Sequence, residues 1–133
     1  MTTGMKWIKE IVSTDDAPEA LGPYSQGVCA GPLLFISGQL GLNPAGNGFA
    51  GATMEKQTKQ AMENIAAVLD AGGSSLDQIL KVTVYLDDIN DLKSFNDAYS
   101  LFFEGDPPAR AVIETSRLPL GALVEIDVIA LRD

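Results

Sequence analysis

Histidine is absent from this chain, and cysteine occurs once, at Cys29. Together these gaps remove most of the familiar catalytic apparatus. No Ser-His-Asp triad or Cys-His pair can be assembled, no intramolecular disulfide can form, and the usual Cys/His zinc site has no ligands. Acid-base chemistry is left to carboxylates, tyrosine, lysine, backbone groups and water. A carboxylate-and-water site for Mg²⁺ or Ca²⁺ stays open, but no DxDxDG-type loop supplies one, so no metal or cofactor is expected. Positive charge is scarce too: Lys and Arg total 9 against 18 Asp and Glu, a formal net charge of -9. That balance opposes phosphate backbones, which are bound by Lys/Arg displacing counterions, and it opposes anionic membrane surfaces. No apolar run approaches the ~20 residues of a membrane-crossing helix, and no charged-then-apolar N-terminal signal is visible. The expectation is a cytoplasmic protein with neither nucleic-acid nor membrane partners, a setting that the lone free thiol suits.

What is present is a chain of 133 residues, 46% hydrophobic, long enough for one domain with a substantial core. Residues 1–4 are expected to fray. Residues 5–13 alternate loosely around Trp7 and Ile11 and predict a first strand. Residues 15–24 are rich in turn formers and predict a loop, with Tyr24 just after Gly22-Pro23. Two short apolar runs, 28–30 and 33–37, flank Gly31-Pro32 as a tight hairpin, with Cys29 a small buried hydrophobe. Ser37-Gly38-Gln39 closes the second run, where a serine either caps a turn or offers its hydroxyl and neighbouring amides to a ligand.

The Gly-rich stretch 42–52 lacks both the P-loop Lys-Ser/Thr and a GxGxxG pattern, so it is a loop without a nucleotide role. Thr53 then offers an N-cap, Ala61, Met62, Ile65, Val68 and Leu69 recur at helical spacing, and Gly72-Gly73 ends the helix. Residues 79–86 predict a strand with Leu80, Val82, Val84 and Leu86 on one face and Lys81, Thr83 and Tyr85 on the other. The second face is neither polar nor apolar throughout, which suits contact with another subunit. Asn90 or Asp91 caps a second helix with Leu92, Phe95, Tyr99 and Phe102 as its buried stripe and Asn96 at the flank. The order β-ββ-α-β-α-β-β predicts an α+β domain: one mixed sheet with two helices packed on one face. The other face is left partly apolar, which points to a small closed ring of subunits.

The segment 107–131, PPARAVIETSRLPLGALVEIDVIAL, holds the most sharply patterned polar groups. Pro107-Pro108 ends the second helix. Residues 110–115 alternate, with Arg110, Val112 and Glu114 on one face, and Pro119 and Gly121 punctuate the turn that follows. Residues 123–131 set Val124, Ile126 and Val128 opposite to Leu123, Glu125 and Asp127. This reads as two partnered strands, with an arginine on one and a carboxylate on the other. A strand-entry cation and a solvated strand face account for the same residues on pattern alone.

Four stretches together resemble one family, the Rid (YjgF-like, reactive intermediate deaminase) proteins: APEALGPYSQG at 17–27, FISGQLGLNP at 35–44, KVTVYLDDINDLKSFNDAY at 81–99 and 107–131 above. The resemblance implies a chorismate-mutase-like fold, a homotrimer with three intersubunit clefts, and hydrolysis of 2-imino acids such as 2-iminobutanoate and 2-iminopropanoate to 2-oxo acids and ammonia. By position it implies that Arg110 binds the substrate carboxylate, that Tyr24, Ser37 and Asn96 line the cleft, and that Glu125 positions or polarises water. Some members carry a cysteine two residues beyond the arginine. Val112 stands there in this chain, so no thiol takes part. The chemistry suits the composition: a protonated imine is already electrophilic, and needs a guanidinium fork for its carboxylate and a carboxylate to accept a proton. A binding module that holds a 2-oxo or amino acid without turnover uses the same arginine and is the alternative. A ribonuclease or translation inhibitor fits the acidic, histidine-free chain less well.

Overall fold

The computed structural model describes residues 6–133, so the expected fraying of 1–4, and Met5, lie outside the described residues. The elements are β1 (Glu10–Val12), β2 (Gly27–Ala30), β3 (Leu33–Leu40), α1 (Met54–Ala71), β4 (Ile79–Leu86), α2 (Leu92–Tyr99), β5 (Ala109–Glu114) and β6 (Val124–Leu131). They form one six-stranded sheet in the order β1-β2-β3-β6-β4-β5, antiparallel throughout except for the parallel pair β4–β5. The α+β class, the element order and the mixed sheet follow the expectation. The β4–β5 pair is parallel because α2 lies in the crossover between them.

Both helices cover one face of the sheet. Ala61, Met62, Ile65, Val68 and Leu69 of α1 and Phe95 of α2 are fully buried, against Leu34, Val82, Val84 and Ile126 of the strands. The start of α1 is capped as expected, with the Thr53 hydroxyl accepting from Lys56 N at 3.2 Å. The cap of α2 differs. A 3-10 turn at Ile89–Asp91 precedes the helix, and it is Asp88 whose carboxylate accepts from Asn90 N at 2.9 Å. Asp91 holds the N-cap position of α2, as expected, but makes no side-chain capping hydrogen bond.

Four sequence expectations are corrected, each for a local reason. The first strand spans only Glu10–Val12, because its partner β2 ends at Ala30, where Gly31 (φ 55°) turns the chain, and a β1 reaching back beyond Lys9 would have nothing to pair with. In β4 the register shifts between Ile79 and Lys81, so Ile79 takes the inward position and Leu80 turns outward, 44% exposed. Ser37-Gly38-Gln39 does not close β3. It forms a bulge inside the strand, which continues to Leu40.

The last correction bears on the site: β5 and β6 are not partners, for β4 lies between them. β6 takes the centre because Val124, Ile126, Val128 and Ala130 are all buried and both of its edges find partners. β5, with Ala109, Arg110, Ile113 and Glu114 exposed and two prolines just before it, belongs at the edge.

Candidate active site

The bulge in β3 shapes one half of the candidate site. Ile36 opposes Val128 and Gln39 opposes Ile126, so Ser37 and Gly38 together face Asp127 alone. The Glu125 side chain lies directly over Gly38, and a Cβ added there would overlap its carboxylate. Only glycine leaves this space. Glu125, Ser37, Gly38 and Tyr24 line a cleft of about 480 Å³, walled by Leu21, Leu40 and Leu120. Leu120 sits at its rim in the left-handed region (φ 59°), at a cost of about 1 kcal/mol for a side-chain-bearing residue. The Tyr24 hydroxyl accepts from Leu21 N at 3.3 Å, and the Ser37 hydroxyl donates to Ser25 O at 2.6 Å. The proton of Ser37 is therefore engaged locally while its lone pairs stay open. Burial pushes the Glu125 carboxyl above the ordinary glutamate range, and the neighbouring charge of Asp127 adds to the rise. Burial raises Asp127 as well, opposed by the nearby Tyr85 hydroxyl and by the charge of Lys81. A carboxylate made more basic in this way is suited to taking a proton from water.

Arg110 forms a second, separate half. Its position opposes Val82 on β4, so its side chain emerges on the helix-covered face. There Nη1 donates to Asn96 Oδ1 at 2.7 Å, and the guanidinium carbon stands 5.1 Å from the Tyr99 ring centroid and 5.7 Å from that of Phe95. The groove beside it, about 420 Å³, is lined by Asn96, Tyr99, Phe103, Pro107, Pro108 and Arg110. Among the described residues the ion pairs are Lys59–Glu63, Lys93–Asp97 and Arg132–Glu10, and none involves Arg110. Asn96 lines this groove, with its amide oxygen engaged by the arginine.

Within one chain, then, Tyr24, Ser37 and Glu125 come together, and Arg110 and Asn96 come together, but the two groups do not meet. Glu125 opposes Tyr85 and points to the open face, whereas Arg110 points to the covered one. Two strand spacings, on the order of 10 Å, also separate their strands. Among the described residues no group of three or more acidic, histidine or cysteine side chains is placed to hold a metal.

Three buried amides that frame the Glu125 half escaped the sequence analysis. Gln26 accepts from Thr14 N (2.7 Å) and donates to Thr14 O (3.1 Å) and Pro18 O (2.8 Å), tying down the loop that leads to Tyr24. Gln57 accepts from Leu123 N (2.9 Å) and donates to Gly51 O (3.0 Å), anchoring the entry to β6. Asn64 donates to Leu40 O (3.0 Å) and Leu42 O (2.9 Å). The signal was available for two of them: positions 57 and 64 fall on the same helical stripe as Ala61, Ile65 and Val68, where a polar side chain needs a buried partner.

Comparison with known proteins agrees with this architecture. Residues 14–132 match the family model described as Endoribonuclease L-PSP. The chain is similar to a RutC family protein of Saccharolobus solfataricus, 49% identical over 92% of this chain and 98% of that one. It is 42% identical to the 2-iminobutanoate/2-iminopropanoate deaminase of Bos taurus, over 94% of this chain and 91% of that one. The crystal structure of a Rid-family protein from Yersinia pestis superposes with a TM-score of 0.90 at 44% identity, covering 93% of this chain and 99% of that one. With a family match across nearly its whole length and relatives well above 30% identity, the chain belongs to the endoribonuclease L-PSP family, the Rid (YjgF-like) proteins.

Proposed function

We propose that this protein is a hydrolytic deaminase of small 2-imino acids, working in a cleft that two copies of the chain complete together within a homotrimer. One observation carries the proposal: an Arg110 guanidinium with no carboxylate partner among the described residues and a Glu125 carboxylate of raised basicity lie on opposite faces of one sheet. A single chain cannot close both on a small substrate. A neighbouring copy laid against the open face supplies the missing half. That face exposes Ile11, Phe35 and Ile113, apolar side chains that favour such a contact.

In the complete cleft Arg110 holds the substrate carboxylate by two parallel charge-assisted hydrogen bonds. Tyr24, Ser37 and Asn96 border the substrate. Glu125 accepts a proton from water as its oxygen attacks the iminium carbon, giving a carbinolamine. Return of that proton to nitrogen makes ammonia the leaving group. The C–N bond then breaks as the hydroxyl oxygen forms the carbonyl and gives its own proton to Glu125, and ammonia carries that proton away as ammonium, which leaves the 2-oxo acid and a regenerated carboxylate. Such imines hydrolyse in water unaided, so orientation of one water and one substrate accounts for the acceleration required. The deaminase name of a relative 42% identical supports this chemistry. RNA cleavage, the word in the family description, fits poorly with a chain of net charge -9 that has no histidine.

The test is a competition assay in which a threonine dehydratase generates 2-iminobutanoate and semicarbazide traps it. Wild-type protein lowers the trapped fraction, and neither Arg110→Ala nor Glu125→Gln does so. A Glu125→Gln protein that still turns over at the wild-type rate removes the catalytic role of the carboxylate. No effect of the wild type on several imines leaves a binding module.

A further inference from the structure

Two arginines of this chain end in opposite ways. The Arg132 guanidinium is committed to the Glu10 carboxylate, with both nitrogen-to-oxygen distances 3.3 Å, and to Gly31 O at 2.9 Å. Its charge is compensated within the chain. Arg110 instead ends on a neutral amide and two aromatic faces. We propose that Phe95, Asn96 and Tyr99 form a positioning cradle that aims the Arg110 guanidinium while leaving its positive charge uncompensated for an anionic ligand.

Helix geometry makes the cradle. Phe95 and Tyr99 are four residues apart on α2 and stack with ring centroids 5.1 Å apart and planes inclined by 28°, which gives one continuous apolar shelf. A guanidinium on such a shelf is attracted by the ring faces, which carry no formal charge and use none of its donors. Asn96, between them in sequence, reaches Nη1 from the side and takes a single N–H. Among the described residues Nε and Nη2 make no hydrogen bond, which leaves that edge for a planar carboxylate. An aspartate at this position would hold the arginine equally well but would neutralise it. Tyr99 adds a discriminating detail: its hydroxyl is buried without a hydrogen-bond partner among the described residues, so the face of the ring, not the phenol, is what Arg110 meets.

The cradle is a structural statement, and its consequence for ligand binding rests on the proposed reading of Arg110 as the carboxylate clamp. Both are testable on the intact protein. The sequence holds three arginines, Arg110, Arg117 and Arg132, so their side-chain N–H signals are resolvable by ¹⁵N NMR. Arg110 is expected to show ring-shifted signals and slowed guanidinium rotation compared with the exposed Arg117. Tyr99→Phe should preserve this pattern, whereas Tyr99→Leu and Asn96→Ala should lose it. Should Arg110 rotate as freely as Arg117 in the wild type, or stay unchanged in Asn96→Ala, there is no cradle. The charge is tested by titrating 2-oxobutanoate and its uncharged amide. Asn96→Asp, nearly isosteric at a partly exposed position, should weaken the acid about tenfold and the amide by less than about twofold. Equal binding of the acid by Asn96→Asp and wild type overturns the charge-sparing role. Failure of the wild type to bind 2-oxobutanoate sinks the carboxylate clamp and that role with it, while the rotation measurement still judges the cradle.

Discussion

Beneath the two helices, β3, β4 and β6 present Leu34, Ile36, Val82, Val84, Ile126 and Val128, none more than 3% exposed. The reverse face of the same strands alternates in kind from row to row. One row across the sheet runs Ile11, Val28, Phe35, Ile129 and Lys81; another runs Leu40, Glu125, Tyr85 and Ile113. Ile11, Phe35 and Ile113 remain 58%, 43% and 46% exposed. The period of two along each strand thus separates two tasks. Residues facing the helices supply burial, and a carboxylate among them would cost several kcal/mol of desolvation. Residues facing away combine apolar contact surface with half-buried carboxylates whose basicity is raised. On the proposed reading, stability lives on one face and assembly and the Glu125 half of the site on the other, while Arg110 stays against α2 on the covered face at the sheet edge.

That division can be broken on either side. Ile126→Ala, a truncation in the centre of the covered face, should cost about 2–5 kcal/mol of unfolding free energy, read by chemical denaturation. Gly38→Ala on the open face should spare the fold, judged by circular dichroism, and lower imine turnover about a hundredfold, because its methyl group displaces the Glu125 carboxylate. Phe35→Glu should leave the folded chain within about 0.5 kcal/mol of wild type yet shift sedimentation toward smaller species. Smallest is a pH effect. Glu125 has a raised folded-state pKa, so its protonated form is favoured by folding. Its contribution is fully present below the ordinary glutamate pKa and is lost as pH rises through the raised value. Glu125→Gln should therefore melt at a higher temperature than wild type at neutral pH, with the difference vanishing in acid. A variant that is less stable than wild type at neutral pH would contradict the raised pKa.

Much of this was legible in the chain, because periodicity and burial are tightly linked. The stripe Ala61, Met62, Ile65, Val68 and Leu69, the hairpin turn at Gly31, and the partly apolar outer face around Thr83 and Tyr85 all follow from spacing alone. The partnering of β5 and β6 did not. Adjacent strands in sequence read as a pair, whereas the sheet sorts strands by how many faces and edges they can bury, and β6 outcompetes β5 for the centre. The same sorting hid the division of the candidate site. Alternation showed that Arg110 and Glu125 each occupy a defined strand face, but only the register through β4 reveals that those faces are opposite. The two bulges, at Leu80 and at Ser37-Gly38, were invisible because each depends on the partner strand. Family resemblance singled out Glu125 and Ser37, but the need for glycine at position 38 emerges only from the carboxylate lying over it.

Mixing two inactive chains decides whether the halves belong to different copies. Arg110→Ala retains Glu125, and Glu125→Gln retains Arg110. If a site draws one group from each of two neighbouring copies, random co-assembly at equal amounts should restore about a quarter of wild-type imine hydrolysis, whatever the number of subunits in the ring. If the mixture forms mixed assemblies by native mass spectrometry and stays as inactive as its components, the two residues act within one chain or not together at all, and the shared cleft is wrong.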